Sequence, residues 1–177
     1  MYYAEIKKHD IANGTGVRVS LFVSGCTHHC KGCFNSETWD FHYGKEFTDA
    51  TADEIIRYMK PSYIAGLSIL GGEPFERVNQ LGLLPFLKKV KETYPAKNIW
   101  CWTGYLFDRD IVDTMCGKWE ETKELLSCID VLVDGEFVEE RKQAGLAFCG
   151  SDNQRIILVR KSMETGSVVL WTPPDLL

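Results

Sequence analysis

Four short apolar runs, each followed by a turn that carries glycine, set the frame of this chain. Val17, Val19, Leu21 and Val23 alternate with Arg18, Ser20 and Phe22, the period of two that belongs to a strand. Leu67 to Leu70, Ile99 to Trp102 and Ile129 to Val133 have the length and apolar character of buried strands, and Arg155 to Val159 is a further one. Stretches with helical spacing lie between them. Thr51-x-x-Glu54 has capping-box spacing and precedes Ile55, Ile56 and Met59. A second helix is expected from near Leu83, with Pro85 in its first turn and Leu87, Val90 and Tyr94 on one face. A third is expected from Asp108 to Leu126, interrupted at Gly117. Val168 to Trp171 reads as an edge strand, with Pro173-Pro174 closing the fold.

Strands alternating with helices imply βαβ units and a mainly parallel sheet. With 177 residues the chain is long enough for one core. At roughly 30 residues per βαβ step it is too short for the eight steps of a closed barrel. The expected fold is therefore α/β, a partial open (βα) barrel formed as one domain over 1–177. The ends of the first four strands carry Cys26, then Gly71-Gly72-Glu73-Pro74, Trp102-Thr103-Gly104-Tyr105 and Asp134-Gly135-Glu136-Phe137. Ligands of such sheets sit outside the carboxyl ends of the strands, so these turns predict one shared site.

Charge and composition narrow the partners. The formal net charge is −5, and no basic run is longer than a pair such as Lys88-Lys89. A nucleic-acid partner is not expected, because phosphate-backbone binding rests on clustered Lys and Arg. The opening MYYAEIKKHD has no apolar stretch behind its charges, and nothing in the chain approaches the roughly 18 apolar residues of a membrane helix. A cytoplasmic location and no membrane partner are expected. The seven cysteines, an odd number, then point to metal binding or buried thiols rather than to a disulfide framework.

Three of those cysteines fall within eight residues, Cys26-Thr27-His28-His29-Cys30-Lys31-Gly32-Cys33, with the spacing C-x3-C-x2-C. Three thiolates on a short loop suit zinc or an iron–sulfur cluster. A structural zinc asks for a fourth closed ligand. His28 and His29 are candidates, but they lie between two of the cysteines, where folding back on the same ion is awkward. Spacing therefore favours a cluster held by three cysteines with one open iron. Zinc stays as the main rival, and a chance meeting of thiols in an inert loop is the remaining alternative. Cys101, Cys116, Cys128 and Cys149 form no second close-spaced motif and read as buried thiols.

The triplet behind a strand, followed by a Gly-Gly-Glu turn, resembles the radical S-adenosylmethionine (SAM) superfamily. More closely, the chain resembles the activating enzymes of anaerobic ribonucleoside-triphosphate reductase. The matching pieces are Asp10-Ile11-x-Asn13-Gly14-x-Gly16-x-Arg18, Leu21-Phe22-Val23-Ser24-Gly25-Cys26 and Cys30-x-Gly32-Cys33-Phe34-Asn35. Gly71-Gly72-Glu73-Pro74, Trp102-Thr103-Gly104-Tyr105, Val131-Leu132-Val133-Asp134-Gly135-x-Phe137 and Gly150-Ser151-x-Asn153-Gln154-Arg155 follow in order. Many superfamily members place an aromatic residue just before the third cysteine. Here Gly32 holds that position and the aromatic is Phe34, the same shift that the activating enzymes show.

The resemblance implies that Cys26, Cys30 and Cys33 ligate a 4Fe-4S cluster whose fourth iron chelates the methionine half of SAM. It implies that Gly71, Gly72 and Glu73 lie along the SAM amino group. Gly32, Cys33, Phe34 and Thr103 would then border the cofactor, and Asp134 would either reach its ribose or form a turn with Gly135. The implied reaction is reductive cleavage of SAM and abstraction of a glycine Cα hydrogen on a large partner, the anaerobic ribonucleoside-triphosphate reductase. No side chain is expected as acid or base. The chain has no inserted ferredoxin-like segment, so its electron is expected from an external flavodoxin or ferredoxin. Activation of another glycyl-radical enzyme, or a non-catalytic iron–sulfur or zinc protein, are the alternative functions. Arg18 is expected to pair with a carboxylate, and Asn153, Gln154 and Arg155 receive no role.

Overall fold

In the computed structural model, which describes residues 1–173, seven strands form one sheet. They are β1 (Tyr2–Asp10), β2 (Val17–Val23), β3 (Lys45–Glu46), β4 (Ile64–Gly71), β5 (Asn98–Trp102), β6 (Val131–Asp134) and β7 (Arg155–Leu158). The order across the sheet is β3-β1-β2-β4-β5-β6-β7. The inner strands β2, β4, β5 and β6 run parallel, while β1, β3 and β7 pair antiparallel on the flanks. Helices α1 (Asp49–Tyr58), α2 (Arg77–Thr93) and α4 (Glu120–Cys128) occupy the crossovers, with the short α3 (Cys116–Lys118) ahead of α4 and α5 (Val159–Thr165) after β7.

The alternation in β2 divides the sheet into two faces. Val19, Leu21 and Val23 join Leu67, Ile69, Ile99 and Leu132 against Ile55, Leu83, Leu87 and Leu125 of the helices. Each such side chain, fully buried, contributes roughly 1.5–3 kcal/mol. The other face is different in kind. Ser20, Ser68, Trp100, Val131 and Leu158 stand in register across five strands, with Lys7 opposite Ser20 on β1. Phe22 and Leu70 form the next row toward the carboxyl ends.

Arg18 lies on this second face, fully buried. It donates to Ser68 Oγ at 2.7 Å, to Leu67 O at 2.8 Å, and to the carbonyls of Asn98 and Thr15 at 3.1 Å. The expected carboxylate partner is replaced by carbonyls and a hydroxyl. Burial pushes the guanidinium down to about 10, against the more distant charges of Asp130 and Asp10. Ser68 Oγ passes its own hydrogen to Asn13 O, while Asp10 accepts from Asn13, Ser20 and the Ala12 N–H. This network ties the turn between β1 and β2 to the amino ends of the inner strands.

Several boundaries differ from expectation, each for a local reason. The cap of α1 is Thr48, with Thr51 completing the box, so the helix starts one turn earlier than the Thr51-Glu54 spacing predicts. α2 begins at Arg77, which places Pro85 in its interior. The lost bond would have gone to Leu81, which is half-exposed, so water can take the place of the missing donor. Phe107–Met115 is a π-helical segment, and the chain is extended at Trp119 rather than broken at Gly117. The strand expected over Val168–Trp171 is reduced to one bridge, Leu170 to Ile157, and Pro174 lies outside the described residues.

Candidate functional site

The turn after β4 is stitched directly to the start of the cysteine loop. Gly72 N–H donates to Val23 O at 2.7 Å and Glu73 N–H to Gly25 O at 2.8 Å. A side chain at residue 72 would be impossible at this approach, because a Cβ there would stand 2.6 Å from Gly25 O. Asn79, fully buried at the start of α2, donates to Ser24 O at 3.0 Å and to Glu73 O at 2.9 Å. Two strand ends are thereby locked together one residue ahead of Cys26.

Glu73 is the hub of the site. It is buried, with Oε1 accepting from Phe75 N–H and Thr103 Oγ1 at 2.8 Å each. Oε2 accepts from Gly104 N–H at 2.8 Å and meets His28 Nε2 at 3.1 Å. Two of these four contacts are backbone N–H groups, so the carboxylate holds together the turns after β4 and β5. His28 also meets Glu136 Oε1 through Nδ1 at 2.8 Å. Burial alone would lower the His28 pKa, but its bonds to Glu73 and then Glu136 outweigh burial and raise it to about 9.

Cys26, Cys30 and Cys33 line a single cavity of about 590 Å³ together with Gly71, Gly72, Glu73, Thr103 and Phe34. That volume lies within the range of small-molecule sites. Its floor includes Phe22, Leu70 and Trp102, the last tied through Nε1 to Phe148 O at 2.8 Å. Cys33 Sγ accepts from Asn35 N–H at 3.4 Å. Among the described residues, no three Cys, His, Asp or Glu side chains are gathered closely enough to hold a metal ion. Burial pushes Cys26 up to about 11, and burial followed by the charge of Glu136 raises Cys30.

Residues 12–157 match the family described as a 4Fe-4S single cluster domain. The chain is 42% identical over 158 residues to the anaerobic ribonucleoside-triphosphate reductase-activating protein of Haemophilus influenzae, covering 88% of this chain and 97% of that one. The protein of the same name from Pasteurella multocida is 40% identical, covering 88% and 96%, and that from Vibrio cholerae 41%, covering 88% and 97%. The chain belongs to this family of reductase-activating proteins.

The donor set suits the cluster of the activating-protein family. Three free thiols on one loop offer soft ligands to an iron–sulfur core, and three of them leave a fourth iron open. Ligation needs thiolates, so the raised Cys26 and Cys30 give up protons when iron binds. His28, a zinc candidate in sequence, has both ring nitrogens on carboxylates, and the ring of His29 lies 4.7 Å from that of Trp39. Cys101, Cys116 and Cys128 are buried in the core as expected, whereas Cys149 is half-buried and lines the cavity.

Other site residues fall less simply. Phe34 is exposed at the cavity mouth, its ring 5.0 Å from that of Phe137 and 4.8 Å below Lys142 Nζ. Gly32 faces away from the cavity lining, against Glu139, which a Cβ would approach to 2.7 Å. Asp134 does not enter the cavity. It is fully buried, accepting from Phe107 N–H at 2.8 Å and from Arg155 Nε at 3.0 Å. Arg155 also reaches Asp108, and Gln154 and Asn153 donate to the carbonyls of Gly135 and Glu136 at 2.8 Å each. The Asn-Gln-Arg motif therefore braces the turn after β6. Asn79 carried no recognisable signal in sequence, since a polar residue near a helix start reads as surface.

Proposed function

We propose that this chain activates an anaerobic ribonucleoside-triphosphate reductase as a radical SAM enzyme, installing a glycyl radical on that partner. The observation that carries the reading is that the three free cysteines and the Gly71-Gly72-Glu73 turn line one cavity at the carboxyl ends of the parallel strands. On this reading the sheet is the open partial barrel of the superfamily, formed by 1–177 as one domain and working in the cytoplasm.

Cys26, Cys30 and Cys33 would hold the cluster. When bound, cluster and SAM together supply a one-electron cleavage of the sulfonium bond to the 5′ carbon, which takes a hydrogen from a glycine Cα and leaves methionine and 5′-deoxyadenosine. The chain's task is placement. The oxygens of Glu73 are committed to Phe75, Thr103, Gly104 and His28, so the SAM ammonium would be met by the glycine carbonyls of the turn rather than by this carboxylate. Thr103 serves by holding Glu73. Phe34 and Phe137 offer the adenine an aromatic surface at the mouth. Phe22, Leu70 and Trp102 keep water from the floor where the radical would meet its target. The electron would come from an external flavodoxin or ferredoxin.

The test is anaerobic reconstitution with iron and sulfide, reduction, and addition of SAM. A cluster EPR signal that changes with SAM, release of 5′-deoxyadenosine, and a glycyl radical on added reductase are expected. A loaded cluster that ignores SAM and releases no nucleoside would refute the reading. SAM cleavage with no radical on the reductase would instead direct it to another glycyl-radical partner.

A further inference from the structure

His28 lies between two of the cysteines, yet its side chain belongs to two other turns. Nδ1 is 2.8 Å from Glu136, which follows β6, and Nε2 is 3.1 Å from Glu73, which follows β4. The ring also fits the turn after β5. A Cβ on Gly104 would come to 2.7 Å from the imidazole, so only glycine admits it there, and Tyr105 packs edge-on with centroids 4.4 Å apart. The side chain is only 10% exposed. One residue of the cysteine loop thus touches the ends of three parallel strands. It also lines both the cysteine cavity and a second one of about 660 Å³ beside Tyr105 and Trp119.

Space-filling alone does not need this arrangement. Paired charge-assisted bonds on opposite nitrogens fix both the location of a ring and its rotation. The entry of the loop is already anchored, because Gly72 and Glu73 bond to Val23 and Gly25. Past that point Cys26 N–H donates to Trp39 O at 3.3 Å, Thr27 N–H to Glu76 at 3.0 Å, and Lys31 pairs with Glu139 and Glu140, while His28 is the side chain that ties the loop to Glu73 and Glu136.

We propose that His28 is a positioning residue that registers the cysteine loop on the Glu73 and Glu136 turns and so sets the distance between the cluster and the amino-acid end of SAM. The proposal rests on the radical SAM reading above and adds to it a residue of the cavity wall whose two ring nitrogens are taken up by carboxylates. His28 acts through Glu73, whose place in turn fixes the glycine carbonyls.

The test compares the parent with His28→Ala, His28→Gln and Glu136→Gln, each reconstituted anaerobically. Iron and sulfide per chain, SAM affinity, and the EPR change of the reduced cluster on adding SAM are measured. His28→Ala should load its cluster but bind SAM roughly 10- to 100-fold more weakly, the usual scale for a residue supporting a metal site. Its EPR response to SAM should be diminished. His28→Gln keeps an N–H for Glu73 and should recover most of the affinity, while Glu136→Gln should fall between. His28→Ala with parental affinity and EPR response would overturn the proposal. Loss of iron in both His28 variants would also overturn it, assigning the residue to loop folding. A loaded parent that shows no response to SAM would sink the functional reading, and the proposal with it.

Discussion

Replacing Glu73 by glutamine separates the bonding network of the site from its chemistry. The carboxylate is 1% exposed and takes two bonds on each oxygen, from Phe75 N–H and Thr103 on one and from Gly104 N–H and His28 on the other. Glutamine has nearly the same shape, but one end of its amide donates. Whichever way it turns, an N–H confronts a backbone N–H, that of Phe75 or that of Gly104. One buried donor left unsatisfied costs roughly 1–3 kcal/mol, and loss of a bond to a charged acceptor adds about 1.5–3 kcal/mol. The expected destabilisation is about 3–5 kcal/mol. At about 2–4 °C per kcal/mol for a chain of this length, Tm should fall by roughly 6–20 °C. The assay is unfolding of the cluster-free protein under reductant, with Glu140→Gln as an exposed control expected within about 0.5 kcal/mol of the parent. A Glu73→Gln protein within about 1 kcal/mol of the parent would refute the view that this carboxylate organises the turn.

Other outcomes follow from the same geometry. Serine at Cys26, Cys30 or Cys33 should each abolish iron loading and SAM cleavage, whereas Cys128→Ala should keep both; iron analysis and nucleoside assay decide. Asp134→Asn should cost about 2 kcal/mol in denaturant unfolding, less than a fully broken buried pair because Arg155 keeps Asp108. It should leave SAM affinity within about twofold, since the carboxylate is spent on Arg155 and Phe107. Gly72→Ala should displace the cysteine loop from Gly25 and weaken SAM binding by at least about tenfold, read by equilibrium binding. Asp10 supplies a pH dependence. Burial would raise its pKa, but bonds from Asn13, Ser20 and the Ala12 N–H prevail and lower it. Its stabilisation is therefore present above the unfolded carboxylate value near pH ~3.9 and lost as pH falls through the lower folded value. The stability gap between parent and Asp10→Asn should narrow over that acid range, and a gap independent of pH would contradict the assignment.

The inner strands were legible because they are buried on both faces and so carry dense apolar runs. β1 was not, since its residues are mostly exposed or half-buried and show no clean alternation. Pro85 misled the placement of α2, because the sequence cannot tell that a solvent-facing turn will absorb the lost bond. At the site, the cysteine triplet and the glycine turn announced themselves by spacing. The partner of Asp134 was not legible: an Asp-Gly pair gives no sign that an arginine 21 residues later will claim its carboxylate. The roles of His28 and Asn79 are set by residues 45 to 108 positions distant for the one and 55 for the other, beyond any local pattern.

The flanks of the sheet bear on how a protein substrate is gripped. At one border β3, Lys45 and Glu46, covers only Tyr2 and Tyr3 of β1, so the edge is formed mostly by the rest of that strand, where Glu5, Lys7, Lys8 and His9 are exposed. At the other stands β7, four residues long, whose outer side is engaged by the Leu170 bridge. The charges along the β1 edge, and the two irregularities in the β1–β2 register, resist the lateral addition of foreign strands that drives aggregation. They also make the edge a poor backbone template for an incoming polypeptide. On the reading proposed above, recognition of the reductase then falls to the side chains around the cavity mouth, where sequence preference, rather than main-chain hydrogen bonding, selects what enters.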